Sequence, residues 1–404
     1  MARRATLTEI QIRNYKNIKA AAVGLQALTV LVGPNGAGKS NFVDALSFVA
    51  DCLNHSVQLA FANRGGIAAV RRKSRGRPPT HIGLSFRIDL GDDVLADYAF
   101  EIAARPGEAF SVARERCVVQ TITGPRHEFE VKSGHFVREV PGIRPVIKPD
   151  RLALTMVSGV EEFRPVYDFL TGIRRYSLHP HRMAELQNPD PGEGQELLPD
   201  GSNAAAVLRR IKDLSPSNGQ VYERICRLLS RIVPGTTRVE AKSQGRKETL
   251  VFRQEVGSER PWRFDARHMS EGTLHALGVL LAVYQPRPAS LLAIEEPVST
   301  LYPAATEILM DVLLDGTSRS QVVITTHSPD VLDNKKISAD QIIAIESRDG
   351  VAQLTPLREG TRDVIRDGFY TVGELLRRDE LQIDEEYART PSSQPDFFGD
   401  SGGR

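Results

Sequence analysis

The chain has 404 residues, with 52 Lys and Arg against 51 Asp and Glu, and 41% of its residues are hydrophobic. That length holds about two to three domain-sized units or one large α/β domain with insertions, and a charged share of 25% excludes a disordered chain. A net charge of +1 excludes a uniformly basic polyanion binder and leaves room for a local basic patch.

Leu7, Ile10 and Ile12 lie near polar Thr8, Gln11 and Arg13, which reads as a strand. Leu28 to Val32 is almost continuously apolar, as in a strand buried on both faces. It runs into Gly33-Pro34-Asn35-Gly36-Ala37-Gly38-Lys39-Ser40. Phe42, Ala45, Leu46, Val49 and Leu53 then recur at helical spacing. Residues 63–80, rich in Gly, Arg and Pro, read as a loop. His81 to Leu90 alternates strictly, as in a half-buried antiparallel strand. Tyr98 to Ala103, Phe110 to Gln120, Glu128 to Lys132 and Phe136 to Val140 are further strand candidates, separated by turn signals.

Helical periodicity returns at about Val160. One helix carries Val207, Leu208, Ile211 and Leu214, with Ser202 or Asn203 as its cap. A second carries Val221, Ile225, Leu228, Leu229 and Ile232 and stops at Pro234-Gly235. Strand-like Arg238 to Ala241 and Thr249 to Glu255 follow. From Met269 the pattern is parallel α/β. A helix through Leu274, Leu277, Leu280, Leu281 and Tyr284 leads to the strand Leu291 to Ile294. The helix Pro303 to Leu314 leads to the strand Val322 to Thr325, and a strand Gln341 to Ile345 comes after it. From about Tyr387 the residues are Ser-, Pro-, Gly- and Asp-rich, and a disordered tail is expected.

No apolar run approaches the ~20 residues needed to cross a bilayer, so no membrane partner is expected. Cys52, Cys117 and Cys226 are scattered and form no CxxC pair, which fits a reduced cytoplasm and buried thiols.

Gly33-x4-Gly38-Lys39-Ser40 matches the full phosphate-loop pattern. Glycines let consecutive N–H groups curl around a β-phosphate, and a helix start aims positive charge at it. Lys39 is expected to bridge β- and γ-phosphates, and the Ser40 hydroxyl to ligate Mg²⁺. By chance the pattern arises about once or twice in a hundred chains of this length. The predicted nucleotide contacts are Gly33, Pro34, Asn35, Gly36, Ala37, Gly38, Lys39, Ser40 and Asn41.

The strand Leu291 to Ile294 ends in Glu295-Glu296-Pro297. A parallel sheet delivers such an end to the edge that carries the phosphate loop. Glu295 is then expected to hold Mg²⁺ and Glu296 to orient the attacking water; the alternative is a solvated charge pair. Val322-Val323-Ile324-Thr325-Thr326-His327 repeats the construction, with His327 as a γ-phosphate sensor or else a structural histidine.

In order, GPNGAGKS, MSEGTLHAL (Met269 to Leu277), LLAIEEP and ITTHSP resemble an ABC-type ATPase head. IQIRNYKNI near the start and LLPDGSNAAAVLRRI (Leu197 to Ile211) narrow the resemblance to the RecF/SMC-like and OLD-like group, including the stand-alone AAA-21-type ATPases of bacterial defence and DNA-maintenance loci. The resemblance covers roughly Leu7 to Ile345. It implies an α/β P-loop ABC-ATPase head with an inserted antiparallel β lobe and a helical lobe, and no long coiled coil. The implied segments are 1–62 (core with the phosphate loop), 63–150 (β insertion), 151–265 (mainly helical lobe), 266–384 (core with signature, Walker B acids and switch histidine) and 385–404 (tail).

The resemblance further implies that Ser270 and Gly272 of the signature contact ATP held by a second copy, in an ATP-dependent head-to-tail dimer. Glutamate at 295 replaces the usual Walker B aspartate, a choice frequent in the OLD-like group. Val298 and Leu301-Tyr302-Pro303 depart from the usual continuation. Met156 to Gly159 is the positional candidate for the Q-loop. No second catalytic centre is evident, so a nuclease or toxin output implies a separate, Toprim-like or toxin effector subunit. A transporter nucleotide-binding subunit and an ATP-sensing scaffold with little turnover are the alternatives. Arg71, Arg72, Lys73, Arg75 and Arg77 form a basic cluster suited to sequence-independent DNA phosphate contacts or to simple solvation.

Overall fold

The computed structural model describes residues 4–398 except 75, 123, 139–146, 149, 256, 258–259, 379, 382–383, 385–386 and 388–396, and only the backbone of 215–219. The chain divides into two compact units. One comprises Met1–Ile173, Asp340–Arg362 and Gln382–Arg404; the other comprises Arg174–Ala339 and Asp363–Leu381.

In the first unit, β1 (Thr6–Tyr15) pairs antiparallel with β2 (Ile18–Gly24) around a turn at Lys16, φ 48°. β3 (Leu28–Val32) is buried at every position and leads through the glycine loop into α1 (Lys39–Asn54). α1 buries Phe42, Leu46, Val49 and Leu53. Phe48 of α1 meets the rings of Tyr15 and Phe61 at centroid distances of 5.6 and 5.1 Å. Asp44 of α1 is also buried, at 2% exposure. It accepts from the Tyr15 hydroxyl at 2.7 Å and pairs with Lys16 and Arg64. Burial alone would raise its carboxyl, but Arg64 and Lys16 outweigh that cost and hold it below the usual carboxylate range.

α2 (Val57–Ala62) starts at Ser56, whose hydroxyl accepts from Leu59 N. α3 (Ile67–Val70) interrupts residues 63–80, expected as loop throughout; Ile67 and Val70 bury an apolar face too short to register as a period. The antiparallel strands β4 (His81–Gly91), β5 (Val94–Ala104), β6 (Phe110–Thr121), β7 (Arg126–Lys132) and β8 (His135–Arg138) follow in order. Glu139 and Val140, at the end of the expected last strand, lie outside the described residues. α4 (Leu154–Val157) and α5 (Arg164–Thr171) close this part. Met156–Gly159, the Q-loop candidate, lies in α4 and the turn after it, not at a strand end.

The second unit opens with β9 (Ile173–Tyr176), α6 (Pro180–Ala184), α7 (Ala204–Asp213) and α8 (Ser215–Ile232). Asn203 sits at the N-cap of α7 without capping it. Its amide instead accepts from Leu198 N and donates to Glu196 O, pinning the preceding loop. β10 (Thr236–Gln244), β11 (Lys247–Gln254) and β12 (Trp262–Asp265) form a small antiparallel sheet inside the stretch expected to be mainly helical. Next come α9 (Glu271–Tyr284), β13 (Leu291–Glu295), α10 (Pro303–Gly316), β14 (Gln321–Thr326) and α11 (Pro329–Leu332). β14, β13 and β9 are neighbours in that order, with β13 and β14 parallel.

The chain then returns to the first unit with β15 (Ile342–Arg348) and β16 (Val351–Pro356), joined by an Asp349-Gly350 turn. Both turn residues take positive φ, 52° and 75°, the pattern a tight hairpin needs. α12 (Glu359–Arg366) follows, and α13 (Val372–Arg377) belongs to the second unit. The first unit's strands run β8-β7-β6-β5-β4-β1-β2-β16-β15-β3, with β15 parallel to β3. The fold is mixed α/β with a large sheet, and the longest helix among the described residues, α8, has 18 residues, so no long coiled coil is present there. Within 385–404, expected as a disordered tail, Tyr387 donates to Ala22 O and Phe398 is 6% exposed; apart from these and Phe397, that segment lies outside the described residues.

Candidate nucleotide-binding site

The phosphate loop joins the buried end of β3 to α1. Gly33 lies against β15: a Cβ there would sit 2.1 Å from the Ile345 carbonyl oxygen, so no side chain fits. Gly38 takes φ 123°, and a Cβ there would sit 2.8 Å from Ala352 Cβ and 3.0 Å from the Asn17 amide. Pro34, Asn35, Gly36 and Ser40 are exposed, whereas Ala37, Gly38 and Lys39 are buried. Lys39 is only 7% exposed, and its ammonium donates to Gly33 O at 2.7 Å and Pro34 O at 3.3 Å.

α1 begins with no side-chain cap and no acidic residue in its first turn. No acidic residue of its first turn offsets the positive end of the helix, which favours an anion. Asn17 is not among the site residues that the sequence predicts. Its amide donates to Ala37 O at 3.2 Å and accepts from Asn41 Nδ2 at 2.8 Å, and its backbone carbonyl accepts from Ala352 N. Asn17 thus ties the C-terminal part of the loop and the first turn of α1 to β16. It lies within IQIRNYKNI, so the signal is present but carries no assigned role.

In the second unit, β13 ends on Glu295 and the chain turns sharply at Glu296, whose φ of 45° is left-handed and strained for a non-glycine residue. Glu296 N donates to Thr325 O and to Thr325 Oγ1, both at 3.1 Å, which holds the turn on the end of β14. The Glu296 carboxylate lies 3.0 Å from His327 Nδ1. The predicted pair Glu296 and His327 is thus brought together, with His327 half-exposed. His275, buried on α9, hydrogen-bonds the Glu296 backbone; burial lowers its pKa against that bond. Glu295 pairs with Arg175 of β9, Nε to Oε1 2.7 Å. Nothing in the short strand Ile-Arg-Arg-Tyr announces that contact.

Ser270 is the N-cap of α9: its hydroxyl accepts from Thr273 N at 3.2 Å. A Cβ on Gly272 would sit 2.6 Å from Thr300 O, so this glycine is set by close packing. The basic cluster is placed as follows. Arg71 bridges to Tyr15, Arg72 N donates to Asn14 O, Lys73 and Arg77 are exposed, and Arg75 lies outside the described residues.

This fold and these motifs define an ABC-type ATPase head of the RecF/SMC-like group. Residues 28–105 and 177–333, more than half of the chain, match the family model AAA_21, described as "AAA domain, putative AbiEii toxin, Type IV TA system". The chain belongs to that family. Over 45 residues it is 47% identical to the chromosome partition protein Smc of Methanocaldococcus jannaschii, a match that covers 11% of this chain and 4% of that protein. Two solved structures share the fold. An Smc head bound to the C-terminal winged-helix domain of ScpA aligns over 89% of this chain and 99% of that one, with a TM-score of 0.55 and 13% identity. A Pyrococcus furiosus Smc head with an extended coiled coil, bound to the C-terminal domain of ScpA, aligns over 90% and 99%, with a TM-score of 0.54 and 12% identity. Among the described residues no helix is long and apolar enough to cross a membrane.

Proposed function

We propose that the chain binds and hydrolyses ATP with Mg²⁺. Gly33 to Asn41 cradle the phosphates, and the Lys39 ammonium exchanges its carbonyl partners for β- and γ-phosphate oxygens. The hydroxyl of Ser40 and the carboxylate of Glu295 are hard oxygen donors of the kind Mg²⁺ prefers and would hold it, and the ion would neutralise phosphate charge. Glu296, held by His327, accepts a proton from the attacking water, and His327 meets the γ-phosphate. The observation that carries this reading is the uncapped start of α1 behind a loop in which Gly33 and Gly38 leave no room for side chains.

Ser270 and Gly272 would contact ATP on a second copy, so that ATP joins two chains head to tail and hydrolysis releases them. The reading extends to a switch in a DNA-maintenance or anti-phage complex with a separate nuclease or toxin effector. Heads of this fold that carry a bound partner domain support the idea of a partner. Arg71, Arg72, Lys73, Arg75 and Arg77 are the candidate DNA contacts; in the described residues none of the four placed side chains forms an ion pair.

The test is phosphate release by the unmodified chain against Glu296→Gln. Turnover is expected to fall by about 10²-fold or more while ATP still binds, and an ATP-dependent dimer accumulates. Equal turnover would remove Glu296 from the chemistry.

A further inference from the structure

The sheet face of β1, β4, β5 and β6 that is turned away from the buried aliphatic residues carries small and charged side chains in register. One row runs Arg13, Gly83, Glu101, Arg114, and the next runs Gln11, Ser85, Ala99, Arg116. The charges are paired within the face: Arg13 with Glu101, Arg87 with Asp97, Arg114 with Glu130 and Arg116 with Glu128. The face therefore offers little net charge to a polyanion.

It offers instead two guanidinium planes and a notch. Phe397 lies in the notch, where a Cβ on Gly83 would sit 2.2 Å from its ring. The Arg13 guanidinium stands 5.0 Å from the centre of that ring, and the Arg114 guanidinium stands 4.1 Å from the centre of Phe398. Arg116 donates to the Phe398 carbonyl, so backbone and both side chains are read. Beside the two rings a concavity of about 470 Å³ remains, lined in part by Leu95, Val118 and Ile122. Leu95 and Ile122 are 42% and 63% exposed. A volume of that size admits a bound side-chain group.

We propose that this face is a recognition groove for a short segment of a partner protein carrying two consecutive aromatic residues. The chain's own Phe397 and Phe398 occupy it in cis. The seated pair supplies the argument: an aromatic step is bound by stacking and one backbone acceptor, contacts that any extended segment of the same chemistry makes. A partner must displace the resident pair, so the groove is masked until it competes. A ligand tethered in cis weakens a competitor by the fraction of groove left open.

The test uses a fluorescein-labelled peptide with the sequence of residues 392–402, titrated by anisotropy. The double variant Phe397→Ala, Phe398→Ala of the full chain should bind it at least about tenfold more tightly than the unmodified chain, whose groove is open less than about a tenth of the time. Adding Gly83→Val to the double variant should abolish the gain by filling the notch. Arg114→Met, which leaves the strand backbone untouched, should weaken binding in the same background. A peptide with both phenylalanines replaced by alanine should not bind. Failure of the double variant to bind, or binding that survives both Gly83→Val and Arg114→Met, would overturn the groove.

Discussion

Arg175→Met tests how Glu295 is held. The Arg175 guanidinium sits 2.7 Å from the Glu295 carboxylate, with side-chain exposures of 30% and 12%. Two charges about 4 Å apart near a protein surface attract by about 4 kcal/mol before desolvation and side-chain ordering are subtracted. Breaking a pair this shielded leaves a net loss of about 1–2 kcal/mol, between the exposed and fully buried limits. Methionine keeps the apolar stem and removes the charge. At about 2–4 °C per kcal/mol, the second unit should melt about 2–8 °C lower by scanning calorimetry. If Glu295 holds Mg²⁺ as proposed, Mg²⁺ with ATP brings positive charge to the same carboxylate, and the difference between variant and unmodified chain should narrow when both are added. A difference that Mg²⁺ and ATP leave unchanged would refute the assignment of Glu295 as a metal ligand. No difference at all would refute the energetic reading of the pair.

Glu115 is fully buried and accepts from Ala153 N, Leu154 N and the Tyr98 hydroxyl. Burial, only partly offset by these bonds, pushes its carboxyl from 4.5 up to about 7. The folded chain then binds a proton that the unfolded chain has released between those values, so stability falls as pH rises through this window. A shift of that size corresponds to about 3 kcal/mol. Urea unfolding at pH 5 and pH 8 should show a smaller drop for Glu115→Gln than for the unmodified chain; an identical drop would mean that Glu115 does not titrate there. Ser270→Ala removes the α9 cap and should cost about 1 kcal/mol in the same assay. If Ser270 also reaches a second copy's nucleotide, sedimentation with ATP should show less dimer for this variant, and unchanged dimer would confine Ser270 to capping.

The phosphate loop is legible in the sequence because phosphate chemistry constrains backbone as well as side chains. Gly33 and Gly38 can be read in advance from the loop pattern, and the positive φ of Gly38 is local, but the close approach that excludes a side chain at Gly33 comes from Ile345 of β15, far along the chain. The strands β3, β13 and β14 are legible as buried apolar runs. β2 escapes notice because its Ala-rich stretch has weak strand propensity and its burial depends on partners distant in sequence. β16 escapes too, although Asp349-Gly350 is a hairpin signal. Arg175 and Asn17 are not assignable, since a polar residue becomes part of a site only through the neighbour that the fold supplies. Phe397 and Phe398 sit in a stretch whose composition says disorder, and two aromatic rings outweigh that composition where a notch receives them.

On the proposed reading, the loop from Gly33 to Ser40 binds nucleotide through Lys39. Isothermal titration with ATP and Mg²⁺ tests it most directly. The unmodified chain should bind, and Lys39→Ala, which deletes one charge-assisted contact worth about 1.5–3 kcal/mol, should bind about 10- to 100-fold more weakly while melting as before. Equal affinity for the two chains, or no binding by the unmodified one, would contradict the account.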